Sequence, residues 1–97
     1  MNRDEYVANL KAQIDRWNSE AAKLEARATQ MQASAKAQYA AQLDQFRKRR
    51  DDALNEMKRI QASSMDAWSE LARGADAALK SMQDAFHQAR ASFHDKK

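Results

Sequence analysis

Apolar residues recur three and four positions apart from the first turns of the chain onward. Val7, Leu10, Ile14, Trp17, Ala21, Leu24, Ala28, Met31 and Ala35 keep this spacing for four heptads. That predicts a helix with one seam facing another helix. With Val7 at position a, the a series is Val7, Ile14, Ala21, Ala28 and Ala35, while d keeps its bulk in Leu10, Trp17, Leu24 and Met31. Small a residues let backbones approach closely and suit antiparallel packing or a higher-order bundle better than a parallel two-stranded zipper. The phase then shifts. Ala35, Tyr39 and Leu43 lie four apart, a stutter within a continuing helix, and a second seam runs Leu43, Phe46, Arg50, Ala53, Met57, Ile60. After another shift the pattern reads Trp68, Leu71, Ala75, Ala78, Met82, Phe86, Ala89, Phe93. Here Trp68–Leu79, Leu71–Met82, Ala75–Phe86 and Met82–Phe93 are each eleven apart, a nearly straight geometry.

The expected ends of these helices follow from local chemistry. Asn2 with Glu5 makes a capping box, and Asp4 favours the positive helix start. Ser63 with Asp66 makes another immediately before the pattern restarts, so a turn or kink is expected near 61–65. Without such a turn the chain would be one uninterrupted rod. Gly74 lies inside the eleven-residue repeat, and the apolar spacing crosses it in phase, so no break is expected there.

The predicted organisation is a heptad-patterned helix over 1–62 and a C-terminal amphipathic helix over 63–97, in one all-α unit. Residues 66–93 would fold back antiparallel on 33–60, with Trp68 near Ile60 and Met57, and Phe93 toward Met31 and Ala35. A hairpin has one interface only, so its apolar stripe would need neighbours. Self-association at micromolar concentration is therefore expected, as antiparallel dimers or a four-helix assembly. The expected seam comprises Val7, Leu10, Ile14, Trp17, Ala21, Leu24, Ala28, Met31, Leu43, Phe46, Met57, Ile60, Trp68, Leu71, Leu79, Met82, Phe86 and Phe93.

Composition narrows the alternatives. Leu, Ile, Val and Phe number 12 of 97, a fraction typical of disorder, yet Ala, Glu, Lys, Leu and Arg number 49, as in long helices. One glycine, no proline and no Asn-Gly or Asp-Gly pair leave little for hairpin turns, which disfavours a sheet. With no cysteine, disulfides, thiolate metal sites and thiol nucleophiles are excluded. Neither an apolar run behind the first charges nor a stretch of about 18 apolar residues is present, so a cytoplasmic protein is expected.

Four features could carry chemistry. The basic run Arg47-Lys48-Arg49-Arg50 could track phosphates, but Asp44, Asp51 and Asp52 lie four positions from its members. It reads better as an ion-paired face, with Arg50 packing its stem on the seam and its head outward. His87 and His94 are two turns apart and fall outside the apolar arc, and Asp84 with His87 makes a single Asp-x-x-His pair. No phosphate loop, zinc-protease motif or nucleophile elbow is present, so no enzyme, cofactor or metal is expected. Trp17 and Trp68 read as core anchors. Segment 66–93 is amphipathic like an apolipoprotein helix, which makes a membrane surface the alternative to protein packing; its five bases and five acids from residue 61 on give no pull toward anionic lipid.

Three stretches carry a resemblance: Met1-Asn2-Arg3-Asp4-Glu5-Tyr6-Val7, Leu10-Lys11-Ala12-Gln13-Ile14-Asp15-Arg16-Trp17-Asn18, and Ala67-Trp68-Ser69-Glu70-Leu71 with the helix after it. Through them the whole chain resembles a family of short bacterial coiled-coil proteins of about a hundred residues, often labelled stress-response proteins. The resemblance implies a soluble, cytoplasmic, all-helical protein connected with stress, and no catalytic residues.

Overall fold

The computed structural model describes residues 2–94, with side chains through Ala91. Three helices follow one another: α1 (Arg3–Ala28), α2 (Ala33–Ala62) and α3 (Trp68–His94). No strand occurs among the described residues. They run up, down and up in a rod with extents of 51 × 17 × 16 Å. α2 and α3 share the most extensive interface, α1 and α2 a smaller one, and α1 and α3 the smallest. Phe46 opposite Phe86, and Glu56 opposite Gly74, set the antiparallel register of α2 and α3. Tyr6 beside Trp68 and Trp17 beside Phe86 show α1 and α3 running parallel.

The all-α expectation holds, and so does the antiparallel return of α3 along α2. The uninterrupted helix over 1–62 does not. The chain breaks at Thr29–Gln32, between α1 and α2. No glycine or proline marks that break, and no described residue has positive φ. Instead Thr29 Oγ1 donates to the Ala26 carbonyl at 2.7 Å, and Gln32 swings extended at φ −64°, ψ 153°. The shift between Ala35 and Leu43 therefore marks a new helix that buries nothing before Tyr39, rather than a stutter. Its consequence is large. With three helices, each packs on two others, so the premise of a single-interface hairpin with an uncovered stripe falls away.

The second turn is where the serines placed it, with a different division of labour. Ser63 ends α2: its hydroxyl donates to the Ile60 carbonyl at 2.6 Å, and its backbone is extended. Ser64, one residue later, accepts from the Ala67 amide through its side chain at 3.1 Å and leads into α3. The N-terminal cap forms as the sequence predicts, Asn2 Oδ1 accepting from the Glu5 amide at 2.8 Å.

Gly74 lies in mid-helix, as its phase requires. A Cβ built there would meet Glu56 Oε2 at 3.1 Å and nothing tighter. That oxygen ends a flexible side chain which can rotate aside. Gly74→Ala should therefore raise stability by about 0.5–1 kcal/mol through helix propensity. Thermal unfolding should record this as a rise of a few degrees; a fall would mean that Glu56 cannot yield.

Candidate functional site

Seventeen buried apolar residues form one continuous core, and no charged or non-aromatic polar residue is buried among the described ones. Most of the expected seam is in it: Leu10, Ile14, Ala21, Leu24 and Ala28 from α1, Leu43, Phe46, Met57 and Ile60 from α2, Leu79, Met82 and Phe86 from α3. Val7, Trp17, Met31, Trp68 and Leu71 pack against it while partly exposed. The side chain of Phe93 lies outside the described residues. The structure thus brings the predicted seam together within one chain. Sequence reasoning put Tyr39, Ala53, Ala75 and Ala89 in the apolar pattern without naming them as contacts, and it missed Tyr6 and Ala85 altogether.

The seat of α1 is apolar inside and latched at its rim. At one end Arg3 donates to the Ser63 carbonyl at 2.7 Å, tying the start of α1 to the end of α2. The Tyr6 hydroxyl lies 2.5 Å from Asp76 Oδ1 and 3.1 Å from the Ala72 carbonyl, and its ring tilts against Trp68 at 5.4 Å. Trp68 therefore reaches across to α1, a neighbour that a two-helix hairpin could not supply. Midway, Trp17 meets Phe86 at 5.0 Å, with the Arg16 guanidinium 5.8 Å over the indole. His87 stands edge-on to Trp17 at 5.5 Å. Arg50 donates to Asn18 at 2.9 Å. Toward the first turn Arg47 pairs with Glu25 of α1 and with Asp44 at 2.7 Å. Polar groups thus rim an apolar centre along the seat of α1, as expected of an amphipathic helix packed on a core.

The three arginines of the basic run are ion-paired, by the expected Asp44, Asp51 and Asp52 together with Glu25, though not at the four-residue spacing. Arg47 takes Glu25 and Asp44, Arg49 lies 3.9 Å from Asp52, and Arg50 lies 3.3 Å from Asp51. The Glu25 hydrogen bond pushes the Arg47 pKa up. Arg50 behaves as expected, its head outward on Asn18 and Asp51. Among the described residues no group of three or more His, Asp or Glu is placed to hold a metal ion. His94 has no described side chain.

Two phenols are perturbed. Burial pushes Tyr39 from 10.0 up to about 12, against a smaller lowering by the Arg27 charge. Burial raises Tyr6 further still, reinforced by its hydrogen bond to Asp76 and by that carboxylate's charge. A folded-state pKa above the unfolded one makes the unfolded chain release the proton first. Stability from Tyr39 is therefore intact below its unfolded value and is lost as pH rises from about 10 to about 12. Each such tyrosine should contribute a slope of up to about 1.4 kcal/mol per pH unit in that window. Urea denaturation at pH 9 and pH 11 should show a smaller alkaline loss for Tyr39→Phe than for the unaltered chain. Equal losses would place the titration elsewhere.

Segment 66–93 directs its apolar face inward: Ala75, Leu79, Met82, Phe86 and Ala89 are buried against the other helices. Among the described residues no helix is long and apolar enough to cross a membrane. Against family models, characterised proteins and solved structures, the chain has no match.

Proposed function

We propose that this chain is a non-enzymatic interaction protein whose working part is α1, released from the α2–α3 hairpin so that a partner helix takes its place. The observation that carries the reading is the unequal packing of the bundle, in which α1 has the smallest interface with α3. Release of α1 uncovers the side of the α2–α3 core that it covers, with Phe86 under Trp17 and Trp68 under Tyr6, the kind of apolar surface into which an amphipathic helix docks. The stress-related, cytoplasmic setting implied by the family resemblance fits a protein that shields partners with such a groove. A lipid-surface role would need α3 itself to leave the core, where it shares the most extensive interface of the bundle with α2. A phosphate-binding role would need the arginines of 47–50 to give up their acids.

Native-state hydrogen exchange tests the reading. Amides of Leu10, Ile14 and Leu24 should exchange through an opening of lower free energy than those of Met57, Ile60 and Met82. Exchange of all six at one common free energy, that of global unfolding, would overturn it.

A further inference from the structure

We propose that the partner helix is α1 of a second copy: the turn at 29–32 straightens, α1 and α2 merge into one helix, and each α1 seats in the other chain's groove. This rests on the reading that α1 releases, and it adds the occupant and the hinge.

Four observations at the turn carry it. It contains neither glycine nor proline, and no described residue has positive φ, so nothing in its chemistry requires a turn. Thr29 already has helical angles, φ −64° and ψ −19°, and Gln32 departs from the helix in ψ alone. The start of α2 is poorly served as it stands: Gln32 makes no side-chain cap, and the first turn holds no acid. In a merged helix the first amides of α2 would find the last carbonyls of α1, pairing groups that a helix end leaves unsatisfied. Finally, Leu24, Ala28, Met31 and Ala35 keep their 3-4 spacing across the break, so in a merged helix the apolar stripe of α1 runs on over the hinge as far as Ala35.

Exchange keeps what the bundle already has. Trp17 would meet the partner copy's equivalent of Phe86, and Arg3 its equivalent of the Ser63 carbonyl, with the same contacts as in one chain. The difference between the two forms is then reduced to the hinge and to the loss of independent motion on pairing, which concentration offsets. A hinge that gains hydrogen bonds on straightening favours the pair.

The test uses the full chain with Lys11→Cys and Lys58→Cys as the only thiols, spin-labelled and diluted in unlabelled protein. Both positions are exposed, and the antiparallel register set by Arg3 on Ser63 and Arg50 on Asn18 puts them at a similar height on adjacent helices. Helix axes that pack side by side lie about 8–10 Å apart, so labels there stay within about 20 Å. In a merged helix the 47 intervening steps separate them by about 70 Å. The expected result is a species of twice 11.1 kDa that forms on concentrating the protein and gives the long distance. Ala33→Pro should reduce that species at least tenfold while the monomer stays helical. Proline is accepted at the first position of α2, after a residue already extended, but not inside a continuous helix. A dimer that keeps the short distance overturns the exchange, as does unchanged dimerisation of Ala33→Pro. Should that variant fail to fold, the distance in the chain with its hinge unaltered decides alone. Absence of any dimer, with α1 amides still exchanging early, sinks the exchange and leaves release of α1 standing. If α1 amides exchange only on global unfolding, release itself is wrong.

Discussion

Replacing Phe46 by alanine should lower stability by about 3–5 kcal/mol, the largest loss expected of any single truncation in this chain. Phe46 is 1% exposed and faces Phe86 at a centroid distance of 6.2 Å, and Phe86 in turn meets Trp17 at 5.0 Å. One column of rings therefore ties α2 to α3 and α3 to α1. Alanine at its base opens a cavity lined by rings, which are too large and too constrained to refill it. Small domains are stable by about 5–15 kcal/mol in total, so the loss removes roughly a fifth or more of what holds the bundle. Chemical denaturation followed by tryptophan fluorescence reads it directly, because Trp17 reports on the column. A loss below about 1 kcal/mol would mean that the column does not support the core.

Leu24→Asp should unfold the bundle at neutral pH. Leu24 is 6% exposed, and no charged residue is buried among the described ones, so the carboxylate would have no buried cation to pair with. An unpaired buried charge costs at least several kcal/mol, comparable to the whole stability. The group would escape part of that penalty by staying protonated, so helicity by circular dichroism should recover partly near pH 5 before general acid unfolding begins. Lys48→Ala is the control. Its side chain is exposed, and its loss should change stability by no more than about 0.5 kcal/mol. Equal effects from the two changes would mean that Leu24 is not where the core is.

Which residues pack was legible in the sequence; how many helices they form was not. The 3-4 spacing through Leu10, Ile14 and Leu24 and the eleven-residue repeat through Leu71 and Met82 report which side of a helix is apolar, and those sides are buried or packed against the core. Periodicity does not report whether the facing helix belongs to the same chain. That depends on the turn at Thr29–Gln32, which lacks the glycine or proline that marks a turn in a sequence. Its signals are weak: one threonine bonding back to Ala26, two glutamines, and a shift of phase that appears several residues later, at Tyr39. The second turn was legible because Ser63 and Ser64 compete for backbone hydrogen bonds within a helix. Tyr6 escaped notice for another reason. Its value lies in a hydroxyl that reaches Asp76, seventy residues away, and no local pattern encodes such a pair.

An odd number of antiparallel helices sends the two ends of the described chain out at opposite poles of a rod 51 Å long. A pull applied at those ends runs along the rod's axis, parallel to every helix seam. Under such a load the seams slide, and the contacts along each helix resist together instead of parting one turn at a time. Had the chain made two helices, both ends would leave from the same pole and the same pull would peel them apart. The turn at Thr29–Gln32 thus sets the direction in which this bundle is mechanically strong: along its length it bears tension in shear.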